Sequence, residues 1–339
     1  MRSSHRCAAA ALAAAAILSG CNGDGSSPTP SPTPTSTPSP TPTSTPTPTP
    51  TNSTLANLVA SQTFPAASGR VYRPERGGSV GAVPSSTFDA YGSGITLAYD
   101  AGAGSYTVND ATNPPAFLPA QQTENTSAFR TFANSNAASA GTYKLTLFNP
   151  GAGNTTLALS FVSYGLLEST QQISTTNADI YYRPFIFGLQ TPTSGIPTTG
   201  TVNYTSVVDG YWVRRRSLVT LTQGYADLRL SGTATFSIDY VTRTVTVSLQ
   251  LDGTDLLPTS ISGSLGTINL GTFTGTSTIA TGTSTFSGTL AGNGFSGTFS
   301  GALFGSSASE AGLAFRIDDG DANPSSRQHV AGVVVGKGS

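Results

Sequence analysis

Between Thr281 and Phe315 the chain sets large apolar residues into a background of glycine, serine and threonine, and within each run it does so with a period of two or four. In Gly294 to Phe304 the odd positions read Phe295, Gly297, Phe299, Gly301 and Leu303, while Ser296, Thr298, Ser300 and Ala302 take the other side. Period two is a strand signal. Glycine alternating with phenylalanine on one face lets strands approach closely, with rings from neighbours lying over the gaps, as the inside of a small barrel requires. The serine and threonine face predicts a wet outer surface.

The same pattern extends through the second half. Tyr225 to Asp239 alternates over fifteen residues, long for a sandwich strand and suited to a tilted barrel stave. Arg243 to Asp252 is its expected partner. Gly200 to Val208, Leu270 to Ile279, Thr283 to Leu290, Gly294 to Phe304, Gly312 to Ile317 and Val330 to Val335 complete eight strands, enough to close a small barrel filled by its own side chains and free of open edges. A barrel in a membrane would turn apolar residues outward. Here Thr272, Thr274, Thr276, Thr278, Thr285, Ser287 and Thr289 oppose the apolar faces, so a soluble barrel is expected.

Residues 55–195 read as a separate β-rich region ahead of a barrel at 196–339. Ser93 to Tyr99 and Ser105 to Asn109 flank the turn Asp100-Ala-Gly-Ala-Gly104 and predict a hairpin. Tyr143 to Phe148, Thr156 to Leu167 and Asp179 to Phe187 are further strands. No amphipathic helix follows the N-terminus, and Ser127 to Ala140 offers at most a turn or two of one. The fold class is all-β.

At the N-terminus, Arg2 and Arg6 precede an apolar run from Cys7 to Ile17 that is too short for a permanent span, and Leu18-Ser19-Gly20-Cys21 closes it. That tetrapeptide resembles the bacterial lipobox, which implies a signal peptide over 1–20, a lipidated Cys21 bearing palmitate or a similar acyl chain, and, with Asn22 rather than Asp next, the outer membrane. Cys7 is the only other cysteine, so the processed chain has no thiol for a disulfide, a metal site or a nucleophile. Without Arg2 and Arg6, fourteen basic residues face seventeen acidic ones, a balance that calls for no nucleic acid. Residues 21–54 carry ten prolines between Pro28 and Pro50 among serine and threonine. Such a segment reads as a disordered, extended tether that reaches on the order of 100 Å at about 3.1 Å per residue.

Catalytic chemistry leaves little trace. The processed chain keeps one histidine, His329, and no Gly-x-Ser-x-Gly elbow. Leu256 to Ser309 holds no charged residue, so three of the eight expected barrel strands lack any acid or base. Glu310 ends that desert, and bonding of backbone amides at a strand start is its expected role. Asp318-Asp319-Gly320-Asp321 lacks the spacing and terminal Glu of an EF-hand. No cofactor, metal site or catalytic residue is expected. Two stretches do suit contact. Asp209 to Gly224 joins two barrel strands and contains Tyr211, Trp212, Arg214, Arg215 and Arg216, residue types that often carry interface energy. Ile180 to Phe185, with Tyr181, Tyr182 and Arg183, is expected to pack at the junction of the two regions.

Gly294 to Phe315, GFSGTFSGALFGSSASEAGLAF, resembles the C-terminal barrel signature of the transferrin-binding protein B family of surface lipoproteins, through Phe295, Gly297, Phe299, Gly305, Ala308, Glu310, Gly312 and Phe315. Ala331 to Lys337 is similar to that family's last strand, and Ser85 to Asp110 to the first hairpin of its small "handle" domain. Ser306, Leu313 and Val334 stand where the family has Pro, Gly and Phe. There is one handle-and-barrel unit where the transferrin binders have two lobes. The resemblance implies an outer-membrane, cell-surface lipoprotein held by Cys21, without catalysis, that binds a solute or protein ligand in iron or heme acquisition, with a TonB-dependent receptor as a further partner. The alternative is an adhesin or structural coat lipoprotein with no cargo.

Overall fold

The computed structural model describes residues 51–76, 82–110, 114–136, 141–216, 224–261 and 263–339. Cys21, the signal and most of the tether lie outside them. Among the described residues the only helical turns are two 3-10 turns, Pro119–Gln121 and Thr193–Gly195. The first part contains β1 (Gln62–Arg76), β2 (Ser85–Asp89), β3 (Thr96–Asp100), β4 (Ser105–Asn109), β5 (Gln122–Asn125), β6 (Phe129–Asn136), β7 (Gly141–Phe148), β8 (Val162–Ser174) and β9 (Asn177–Gly188). They form one sheet in the order β4-β3-β1-β9-β8-β7-β6-β5, with β2 also paired to β1. The expected hairpin is β3–β4, which pairs Thr96 with Asn109 through Asp100 with Ser105.

The second part contains β10 (Thr201–Arg215), β11 (Tyr225–Asp239), β12 (Thr244–Asp255), β13 (Thr267–Thr278), β14 (Thr285–Gly292), β15 (Phe295–Phe304), β16 (Glu310–Asp318) and β17 (His329–Gly338). Each pairs with the next, and β10 returns to β17 from Tyr204 with Gly338 to Val213 with His329, so the barrel closes. Its inside is solid: Trp212, Phe236, Phe273, Phe286, Phe299 and Phe315 share one buried cluster with the leucines and valines of all eight strands. The rings do lie across glycines, since a Cβ on Gly288 would stand 2.7 Å from the Phe299 ring and one on Gly332 would stand 2.4 Å from that of Phe315.

Three expectations change. Ser127 to Ala140 is not helical where it is described; β6 runs through it and pairs with β7 from Phe129 with Phe148 to Asn136 with Gly141. The strand expected from Thr156 begins only at Val162, because Asn154 and its neighbours form a loop in which the Asn154 carboxamide accepts from the amides of Thr156 and Leu157. The outer face of the barrel is wet only in part. On β13 and β14, Thr272, Thr274, Thr276, Thr278, Ser287 and Thr289 are exposed, the reverse of a membrane barrel. On β15 to β17 the outer face carries Ala302, Phe304, Ala314, Ala331, Val333 and Val335, all buried against Val71, Val162, Tyr164, Tyr182 and Ile186 of the first sheet. That sheet therefore has two buried faces, with Phe64, Leu97, Phe132, Leu145, Leu167 and Phe185 on the other. Sheet and barrel fall within one compact unit.

Candidate functional site

Strand β10 continues to Arg215, so the first seven residues of the stretch expected to join two strands are themselves strand, and their side chains alternate between two environments. Trp212 points into the barrel core and is 2% exposed. Tyr211, 1% exposed, points the other way, onto the sheet, where its ring stacks on Tyr182 at 4.3 Å. Arg216 is buried in an ion pair with Asp255, Nη2 to Oδ1 2.8 Å, and Nη1 donates to the Gly263 carbonyl. Burial removes these three from direct contact with a partner. Arg214 is half-buried with its guanidinium 5.1 Å from the Trp212 ring, and Arg215 is exposed. Residues 217–223 of the stretch lie outside the described residues.

What Arg216 and Asp255 do is hold the neighbouring loop. The Asp255 carboxylate also accepts from the amides of Leu257 at 3.0 Å and Leu265 at 2.9 Å, and the Ser264 hydroxyl donates to the Leu257 carbonyl. The loop so fixed turns Leu256 and Ile261 into solvent. A cavity of about 180 Å³ between Arg216, Tyr225, Asp227 and Leu256 is smaller than the roughly 300 Å³ of ordinary small-molecule sites. Among the described residues, Arg214, Arg215, Leu256 and Ile261 thus lie at this end of the barrel, beside the loop that Asp255 bonds.

Behind it lies the seam between barrel and sheet, which Ile180 to Phe185 enters as expected. The Tyr182 hydroxyl donates to Asp227 Oδ2 at 2.8 Å, and Arg73 Nε meets the same oxygen at 2.7 Å. Arg229 donates to Asp209 Oδ2 and to the Tyr211 hydroxyl, both at 2.6 Å. Tyr164 donates to Asp209 at 3.0 Å, and Tyr211 to Glu168 at 2.8 Å. Burial pushes the Asp209 and Asp227 carboxyls up from their ordinary value, with Arg229 and Arg73 pulling the other way. Burial and the adjoining carboxylates push the Tyr164 and Tyr182 hydroxyls up as well, so both remain protonated donors.

Glu310, 2% exposed, reaches from the barrel to the start of β8, where its Oε1 accepts from the Ser160 amide at 2.7 Å and its Oε2 from those of Phe161 at 2.7 Å and Val162 at 2.9 Å. The expected bonding of backbone amides at a strand start stands, and the strand is β8, across the seam. His329, 4% exposed, is likewise structural. Its Nδ1 lies 2.5 Å from Asp318 Oδ1 and 3.2 Å from the Ser86 hydroxyl, which itself donates to Asp318 at 2.6 Å. A hydrolytic triad needs the serine on one imidazole nitrogen and the carboxylate on the other. Here both use Nδ1, so Ser86 has no general base. No group of three or more His, Cys, Asp or Glu among the described residues could hold a metal ion.

No protein-family model matches the sequence, and neither does any curated protein. Among solved structures the chain is similar to transferrin binding protein B from Haemophilus parasuis in two mutant forms. The identities are 14% and 15%, each match covers 81% of this chain and 45% or 44% of that one, and the TM-scores are 0.43 and 0.40. It is similar also to the isotype 1 transferrin binding protein B of serogroup B Neisseria meningitidis, at 14% identity over 81% of this chain and 63% of that one, with a TM-score of 0.36. The chain spans less than half the length of the first two.

Proposed function

We propose that this chain is a lipoprotein anchored through Cys21 at the outer-membrane surface, that it captures a protein ligand without chemistry, and that the capture serves iron or heme acquisition. The observation that carries the capture reading is the barrel end. A closed barrel filled by its own side chains has no room for a solute, so its binding surface is outside, on Arg214, Arg215, Leu256 and Ile261, next to the loop that Arg216 and Asp255 bond. The iron assignment rests on the resemblance of Gly294 to Phe315 to the barrel signature. Heme fits less well than a protein, because His329, the one imidazole beyond the signal, is buried against Asp318. A TonB-dependent receptor belongs to this reading as the membrane partner to which cargo passes. The long tether suits a capture protein that must reach a bulky partner.

The test is a pull-down with the full chain against iron-loaded carrier proteins, heme and detergent-solubilised outer-membrane receptors, repeated with Arg214→Ala/Arg215→Ala and with Leu256→Asp/Ile261→Asp. Saturable binding lost in both variants, each folded, supports capture at the barrel end. A folded chain that retains none of these ligands sinks the iron reading and moves the adhesin or coat role ahead.

A further inference from the structure

Among the described residues the buried arginines all face carboxylates. Arg73 meets Asp227, Arg183 meets Asp89 and Asp110, and Arg216 meets Asp255. Arg130 on β6 is different: it is half-buried, yet among the described residues no carboxylate lies within ion-pair distance of it. Its guanidinium lies 5.5 Å from the centre of the Tyr106 ring, Nη2 donates to the Tyr106 hydroxyl at 3.2 Å, and Nε has no acceptor. The nearby acids are turned elsewhere. Asp100 accepts from the amides of Gly102 and Ala103 in its own turn, and Glu124 accepts from the Thr131 hydroxyl.

A cavity of about 320 Å³ opens at this cation, lined by Tyr99, Tyr106, Asn57, Asn149 and Ala56. The volume falls within the range of small-ligand sites, roughly 300 to 1,000 Å³. The Tyr99 and Tyr106 rings lie 5.2 Å apart, tilted at 43°, and give the cavity an aromatic side, while Asn57 and Asn149 add polar groups. An arginine whose charge has no protein partner, already oriented by a ring and a hydroxyl, is prepared for an oxyanion, which its planar fork grips better than an ammonium would.

We propose that the cavity between the β3–β4 hairpin, β6 and residues 55–58 is a binding site for a small oxyanion carried on a ring, an aryl or sugar carboxylate or a phosphate ester, with Arg130 as its counter-ion and Tyr99 and Tyr106 as its aromatic side. The site lies in the sheet part, apart from the barrel end, and does not depend on capture there.

The experiment titrates the full chain, purified in detergent, with benzoate, phenyl phosphate and glucuronate by calorimetry, with benzyl alcohol as the uncharged control. At least one anion is expected to saturate one site, and whichever binds tightest identifies the form of the oxyanion. Arg130→Leu should weaken it by about tenfold or more, and Arg130→Lys by less. Ala56→Trp plugs the cavity from an exposed position and leaves Arg130 in place, so it tests the site even where the arginine variants unfold; it should abolish binding with the thermal midpoint unchanged. No saturable binding of any of the three anions to the folded chain, benzyl alcohol binding as tightly as benzoate, or unaltered affinity in Ala56→Trp would each overturn the proposal.

Discussion

Removal of the Glu310 carboxylate should loosen the hold of the barrel on the sheet. Its two oxygens accept three backbone N–H groups, those of Ser160, Phe161 and Val162, at 2.7 to 2.9 Å, and the Val162 bond is fully buried. A buried donor left without an acceptor costs about 1 to 3 kcal/mol. Three such donors give about 3 to 9 kcal/mol, and water reaching the half-buried Ser160 and Phe161 amides brings Glu310→Ala to about 4 kcal/mol. Glu310→Gln keeps one oxygen, on Phe161 and Val162, but turns its NH₂ toward the Ser160 amide, so its expected loss is about half as large. Urea unfolding of the full chain measures both, and hydrogen exchange at residues 160–162 locates the effect: these amides should lose protection in Glu310→Ala before the barrel amides do. A Glu310→Ala chain within 1 kcal/mol of the parent, with protection at 160–162 intact, would refute the reasoning.

Replacement of Arg229 by Leu leaves Asp209 buried with Tyr164 and its neighbouring amide but without its ion pair, and unfolding should become easier by about 3 to 5 kcal/mol, read by denaturant midpoint. A methyl on Gly301 would stand 2.0 Å from the Gly312 carbonyl oxygen and 2.7 Å from the Phe286 ring; backbone cannot yield that much, and Gly301→Ala should lower stability by roughly 3 kcal/mol. Burial raises the Asp318 carboxyl, but bonds from His329 and Ser86 and the charges of His329 and Arg316 outweigh it, so the group sits below its ordinary 3.8. A depressed carboxyl stabilises the fold above its unfolded value and loses that contribution as pH falls through the folded one. Asp318→Asn should therefore melt earlier than the parent at pH 6, and the gap should narrow below about pH 4.

The barrel was legible because its strands obey one rule. From β11 to β14 each puts large residues on one face and mainly polar ones on the other, and Tyr225–Asp239 has the bounds that its alternation indicates. The seam obeys a different rule that alternation does not report. Val333-Val334-Val335 and Ala311 to Phe315 are apolar at every position because both faces of those strands are buried. A run without alternation is the sign of a strand covered on both sides, and it marked the place where the sheet docks. Strand β1 is not legible for another reason: Pro65 and Pro74 break its pattern, and prolines argue against a strand inside a sheet. Tyr211 and Trp212 were recognisable as anchors, but composition does not say for whom. Only the continuation of β10 to Arg215 turns one into the barrel and the other onto the sheet.

The seam therefore divides its work between two kinds of contact. Ala302, Ala314, Ala331 and Val333 are small, so they let the sheet lie close on the barrel; a Cβ on Gly69 would stand 2.8 Å from that of Ala331. Small flat surfaces of this kind adhere in many registers, since burial of methyl groups is non-directional. The buried charges supply direction. Arg73 can reach Asp227, Arg229 can reach Asp209, and Glu310 can reach three successive amides only in one placement of the sheet. A misplaced sheet would strand several of these charges at several kcal/mol each. Apolar contact thus supplies the affinity of the two parts, and the charged groups select the single arrangement in which the exposed barrel end keeps a fixed shape.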